Sequence, residues 1–428
     1  MLPRIPAVST PAASPYAVLR IPNFRRYVLA VVAMTLAMMI QGTIVGWQVY
    51  ELTHDPLALG LIGLAEALPF IGASLFAGHF ADRYDRRRIA MIALMVVGAS
   101  ALALLILPSW LGDSPRTLVR AIFGVIVVSG FARSFLLPAR QALGVEVVPR
   151  ELFANSVTWR SGAWQLAAVI GPALGGALYA VGGTRLAYAT DAALTMVGVV
   201  ALFLIQRTPA PSSLANESIG SSLIAGVQFV FGERIVLGAL SLDLFSVLFG
   251  GATALLPLYA AEILHVGPQG LGLLRSAPAI GAVITSVILM HAKPFERTGR
   301  VLLQAVAVFG LTIIVFGLST SVVIAVAALA IGGAADMVSV FIRSTLLTTR
   351  TPPEMLGRVM SVNGIFIGSS NEIGAFESGL TAKWFGTIPS VVLGGVLTLT
   401  VVAVTAWRNP LLRRLGRMEP PPAERAAV

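Results

Sequence analysis

The 428-residue chain has no cysteine, so neither a disulfide framework nor a thiolate metal site is open to it. Charge is scarce too: Asp, Glu, Lys and Arg are 12% of the residues, against roughly a quarter in soluble domains. The four histidines, at 54, 79, 265 and 291, fall at or near the ends of apolar runs without metal-ligand spacing, so no metal and no cofactor are expected. A nucleophile elbow and a phosphate-binding glycine loop are also missing, and an enzyme is not expected. The polar stretches are too short to build the extramembrane domain that a receptor or scaffold would need.

Apolar length is what the chain has instead. Hydrophobic residues make up 56% of it, in runs at 27–50, 56–78, 89–108, 117–138, 156–180, 186–206, 235–263, 270–290, 301–319, 322–347, 359–382 and 388–407. Each approaches or exceeds the ~20 residues of a bilayer crossing. The pattern predicts an all-α polytopic membrane protein of about twelve spans. The run after Arg26 is too long for a signal peptide and lacks a small-residue cleavage site, so it reads as the first span.

The net charge of +10 could suggest nucleic acid, but its distribution argues otherwise. With residue 1 cytoplasmic, Arg20, Arg25, Arg26, Arg83, Arg86, Arg87, Arg88, Arg140, Arg150, Arg207 and Arg234 fall on the inner side, as do Lys293, Arg297, Arg300, Arg350, Arg358 and the basic tail. The outer side receives little beyond Arg116, Arg120, Arg185 and Lys383. That is the positive-inside bias. It predicts a multi-pass protein of a bacterial inner membrane with both termini cytoplasmic, and it makes a nucleic-acid partner unnecessary.

The chain also repeats itself. Glu51-Leu-Thr-His54 before Pro56 resembles Glu262-Ile-Leu-His265 before Pro268, and Phe131-Ala-Arg133-Ser resembles Phe341-Ile-Arg343-Ser. The expected organisation is a cytoplasmic segment 1–26, a six-helix bundle 27–206, a linker 207–234 with an interfacial helix, a second bundle 235–407 and a cytoplasmic tail 408–428. Two six-span repeats place a binding site between the halves, near the membrane middle.

Four sets of residues carry the chemistry. Residues 78–89 form a charged hairpin between spans two and three, holding Gly78, Asp82, Arg83, Asp85, Arg86, Arg87 and Arg88. Span five carries Gly171, Pro172, Gly175 and Gly176, small residues that let helix backbones meet and a proline that bends the span. Charges inside the spans are costly and usually face a cavity or a partner; Glu66, Asp243, Arg275, Asp336, Arg343, Glu372 and Glu377 are candidates for proton coupling or for buried ion pairs. Glu66 and Glu372 are expected to approach each other across the halves. Arg133 and Arg343, about two turns from the inner end of their spans, read as groups that snorkel or bond the loop motifs. Gln41, Trp47 and Gln48 in span one are candidate cavity residues.

Together these features resemble the major facilitator superfamily over essentially the whole chain. The hairpin looks like that family's loop motif, G-x-x-x-D-R/K-x-G-R-R/K, with Asp85 where a glycine is common. This departure implies a turn without a left-handed residue and a contact from Asp85 to Arg88. The resemblance also implies that Asp82 sits near the start of span eleven and holds the outward-open state. The span-five residues resemble the antiporter motif G-P-x-x-G-G, which implies efflux. The stretch from Leu347 to Val359 is similar to the branch of enterobactin-exporter and macrolide-efflux-like proteins. The expected function is therefore a proton-coupled exporter of a siderophore-like or drug-like amphiphile, working as a monomer among membrane lipids and driven by the proton gradient. The alternatives are a proton-coupled importer of a small metabolite and a lipid translocator.

Overall fold

The computed structural model describes residues 16–206 and 219–417. The outermost parts of the expected terminal segments and the centre of the linker lie outside these residues. The described chain is almost wholly helical. In the first half α1 (Pro22–Thr53), α2 (Pro56–Arg83), α3 (Arg86–Leu111), α4 (Pro115–Glu146) and α5 (Phe153–Phe203) follow one another with short turns. After α6 (Ile219–Gly232) come α7 (Arg234–Phe249), α8 (Gly267–His291), α9 (Thr298–Leu318), α10 (Val322–Arg350), α11 (Pro353–Phe385) and α12 (Thr387–Arg408).

Among the described residues, 10 helices are long and apolar enough to cross a membrane. One of them crosses twice, because α5 breaks at Gly182 and Gly183, where Gly183 at φ 62°, ψ −159° occupies backbone space open essentially to glycine alone. The bundle is completed by α11, which Glu372 and Glu377 make more polar than its neighbours. The fold is thus the expected bundle of two pseudo-symmetric six-helix halves.

The repeat extends to the backbone. The described non-glycine residues with positive φ are His54 (49°) and His265 (52°), at matching positions in the two halves. Each ends the first crossing of its half with a left-handed cap and is followed by a proline in the first turn of the next helix. The halves differ in the crossing expected at 235–263. It is a regular α-helix to Phe249, breaks at Gly250 and Gly251, and continues to Ile263 through 3-10, α and π turns. A side chain on Gly251 would lie 2.5 Å from the Gly374 carbonyl oxygen, so the break lets this segment sit directly on α11. Interrupted spans of this kind line transporter binding sites.

The helix expected in the linker is α6, parted from α7 by the single extended residue Glu233 (φ −96°, ψ 98°). It packs on the start of α11 through Gly226, whose missing side chain leaves room for the Arg358 backbone.

Candidate functional site

The two halves touch on one side of the bundle and part on the other. We call the side that carries the α2–α3 hairpin the basic face. On the opposite side α2 meets α11 and α5 meets α8, both through glycine. A Cβ on Gly379 would fall 2.7 Å from the Gly60 Cα, and one on Gly272 would fall 2.6 Å from the Pro172 oxygen. Polar contacts reinforce this seal. Tyr50 donates to Glu262 at 2.5 Å, and Lys383 pairs with Asp55 at 2.9 Å. Of the antiporter-like residues, Gly176 joins this seal against Pro268 and Gly272 of α8, while Gly171 and Gly175 pack α5 on Met39 and Ile40 of α1 within the first half.

Towards the basic face the halves separate around two adjoining cavities of about 320 and 590 Å³, which share Arg140 and Trp164. The smaller lies between α1, α2, α4 and α11 and is lined by Met38, Met39, Phe70 and the charged groups Glu66, Arg133 and Glu372. The larger opens between α1, α4 and α5 of one half and α8 and α10 of the other, with Asp336 on its far wall.

Arg133 is the hub of the smaller cavity. It forms an ion pair with Glu66 of α2. Its Nη2 also donates to the Gln41 side-chain oxygen at 2.7 Å, and the Gln41 amide nitrogen donates to Asp191 at 3.0 Å. Both ends of the Gln41 amide are thereby used, which fixes its orientation. Asp191, fully buried in the second limb of α5, and Glu372 of α11 both act electrostatically on the same guanidinium. One cation therefore stands among three carboxylates drawn from α2, α5 and α11.

This arrangement corrects two readings of the sequence. Arg133 does not snorkel to the membrane face; it turns inward because Glu66 and Gln41 offer it charge-assisted bonds that apolar surroundings cannot. Arg343 does not reach the loop motifs either, and is 4% exposed in an ion pair with Asp243 of α7. The equivalent arginines of the two halves thus both neutralise an intramembrane acid, the half-buried Glu66 of α2 in one half and the buried Asp243 of α7 in the other.

Glu66 and Glu372 do border one cavity, and Glu372 lies against the backbone at Gly63, one turn before Glu66. Arg275 projects from α8 onto α1 at Gly42 and Gly46 and makes no ion pair among the described residues. Glu377 makes none there either. Of the span-one candidates, Gln41 joins the charged network. Trp47 donates to Glu51 at 2.5 Å and Gln48 accepts from Tyr188 at 2.7 Å. Neither lines the two cavities; both are packed into the closed side, where their polar atoms already have partners. Asp191 is legible in the sequence as a lone acid in the apolar run 186–206, but its place beside Gln41 and Arg133 is a matter of the fold.

The hairpin turns without a left-handed residue. Asp85, at φ −57°, ψ 107°, caps α3 by accepting from the Arg88 backbone N–H, and its carboxylate lies 3.6 Å from the Arg88 side chain. Arg86 pairs with Glu146 at the end of α4. Arg87 donates to the Leu202 and Phe203 carbonyls at the end of α5 and lies 5.7 Å from the Phe203 ring centre. Carbonyls in the last turn of a helix lack the full set of intrahelical partners, so the arginine helps to complete the helix end as well as marking a face. Arg83 is exposed. The side chains at positions 78 and 82 lie outside the described residues, so Gly78 and Asp82 enter no contact described here.

A twelve-span helical bundle in two repeats, sealed on one side and hollow on the other around intramembrane charges, defines a membrane transporter of the major facilitator class. Residues 13–419 match the family described as transmembrane secretion effector, and the chain belongs to it. The enterobactin exporter EntS of Citrobacter koseri is 28% identical over 402 residues, covering 91% of this chain and 94% of that protein. The Shigella flexneri protein of the same name is 28% identical over 404 residues, with coverages of 91% and 94%. Among solved structures, a POT family transporter in complex with 5-aminolevulinic acid aligns with a TM-score of 0.73 at 13% identity, over 91% of this chain and 96% of that one. A bacterial homologue of the human lysosomal transporter Spinster, in an inward-facing and unoccupied conformation, aligns with a TM-score of 0.69 at 16% identity, over 93% and 99%. At these identities the likeness is one of fold.

Proposed function

We propose that this transporter is a proton-coupled exporter that takes up an amphiphilic small molecule from the basic, cytoplasmic face and releases it on the other side by alternating access. The observation that carries the reading is the single guanidinium of Arg133 among Glu66, Asp191 and Glu372. Uncompensated charge inside a membrane is costly, so a carboxylate that Arg133 does not neutralise must be neutralised by a proton. The network that carries the proton reaches from α2 and α5 to α11 across the halves, so its proton load is coupled to their rocking. Export is supported by the similarity to enterobactin exporters, and Gly176 of α5, packed on Pro268 and Gly272, lies at the contact about which the halves rock. The apolar and aromatic lining, with Met38, Met39, Phe70 and Trp164, suits an amphiphile.

The gate belongs to the same proposal. When the basic face closes, the end of α2 approaches the start of α11, and Asp82 gains the favourable helix N-terminus of α11. The residues 78–88 thereby act as the lock of the outward-open state.

The test is Glu372→Gln in inside-out vesicles, loaded with fluorescent amphiphilic dyes under an imposed pH gradient. The variant is expected to keep its fold and lose the gradient-dependent part of dye movement. Undiminished gradient-driven movement in the variant removes Glu372 from the coupling.

A further inference from the structure

We infer that the N-terminal wall of the larger cavity is an anion-recognition site and that the transported amphiphile carries an acidic group. The inference rests on the exporter reading for the direction of entry, but not for the chemistry of the site. Two arginines from different helices, Arg140 of α4 and Arg160 of α5, line this wall and are close enough to act on each other electrostatically. Among the described residues neither has a carboxylate partner. Arg133, two turns deeper on α4, is by contrast paired.

The wall is built to hold this like-charged pair. Tyr27 of α1 donates its hydroxyl to the Arg140 carbonyl oxygen at 3.0 Å, and its ring lies 5.9 Å from the Arg160 guanidinium. Gly144 makes room for both, since a Cβ there would fall 2.6 Å from the Tyr27 hydroxyl and 2.9 Å from Arg160 Nη1. An arginine that only marked membrane topology would reach the headgroups and need none of this. Planar, delocalised guanidinium groups in a partly dry cavity match a carboxylate, sulfonate or phosphate bidentately.

The cavity is also polarised. Asp336 stands on α10 of the other half, so a bound anion is drawn to the N-terminal wall and repelled from the facing one. Trp164, between the two cavities, offers an aromatic face beside the arginines. An aromatic acid therefore fits better than a neutral or cationic molecule of the same shape.

The test uses three probes on one scaffold: 2-naphthoate, 2-naphthamide and (2-naphthylmethyl)trimethylammonium. Their binding to the purified protein in nanodiscs is measured by titration calorimetry, with empty nanodiscs subtracted. Naphthoate is expected to bind about tenfold or more tightly than the other two, the effect of one charge-assisted bond or more. Arg140→Gln and Arg160→Gln are each expected to weaken naphthoate by about tenfold or more, leaving naphthamide unchanged, while Arg140→Lys and Arg160→Lys, which keep the charge but not the planar fork, retain part of the preference. Three outcomes overturn the inference: no naphthoate binding, equal binding of naphthoate and naphthamide, or Gln variants that weaken all probes alike, as a gate or folding role would. None of these bears on export itself, which is decided separately by comparing inside-out with right-side-out vesicles.

Discussion

Adding one methyl group at Gly60 should unbalance the transporter. In the structure a Cβ at this position would meet the Ala375 oxygen at 2.9 Å, the Gly379 Cα at 3.0 Å and the Phe376 oxygen at 3.1 Å. All three are backbone atoms, which cannot rotate aside, so α2 and α11 must move apart. Overpacking of this kind costs about 1–3 kcal/mol. The cost falls only on the state in which this side is sealed, so Gly60→Ala is expected to multiply the population of the opposite state by about 5- to 150-fold. Leu258 is a suitable reporter, because it is 3% exposed and packs across the halves against Tyr50 and Leu59. The native chain has no cysteine, so Leu258→Cys alone reports its own labelling by a membrane-impermeant maleimide added on the sealed side. The labelling rate should rise when Gly60→Ala is added, whereas Gly72→Ala on the same helix, with no atom within 4 Å of its Cβ position, should leave it unchanged. An unchanged rate together with a lower unfolding temperature would refute the reasoning, for Gly60 would then serve packing and not the conformational balance.

The remaining predictions concern buried and hinge charges. Asp243→Asn leaves Arg343 buried without its counter-charge and is expected to cost about 3–5 kcal/mol, read as a lower midpoint of thermal unfolding in detergent. Replacing both partners, Asp243→Leu with Arg343→Met, should restore much of the loss; if the single and double variants are equally unstable, the pair contributes nothing beyond its separate side chains. Asp82→Asn removes the charge proposed to lock the outward-open state. Cysteine labelling at Ser161→Cys, in the larger cavity, should then increase from the basic face, and an unaltered pattern would count against the gate.

How far the sequence reached depended on which physical term governed each feature. The crossings were legible because membrane thickness sets the length of an apolar run regardless of its neighbours. Arg87 was legible as a face marker but not as the residue that closes the end of α5, since its carbonyl partners, Leu202 and Phe203, lie more than a hundred positions away. Trp47 and Gln48 were assigned to the cavity by the usual orientation of span one, yet that helix is long enough to line the cavity at Met38 and Met39 and to enter the closed side a few turns later. Glu66 and Glu372 were placed at one interface by helix order alone. That Arg133 joins them depends on how α4 is rotated, and one sequence does not disclose this.

By itself, the sequence determined a two-fold repeat of membrane crossings, the side on which positive charge gathers, and a short set of charges too costly to sit in lipid without a purpose. These follow from local terms: hydrophobic length, the cost of burying charge, and backbone signals such as His54 and His265 before their prolines. It took the packed helices to show that Arg133 stands among three acids while Arg343 pairs with Asp243, that Arg140 and Arg160 share a wall without a carboxylate partner among the described residues, and that the glycines of α2, α5, α8 and α11 seal one side of the molecule. Each of these depends on the relative rotation and approach of helices distant in sequence, which backbone contact at single glycines sets to within a fraction of a side chain.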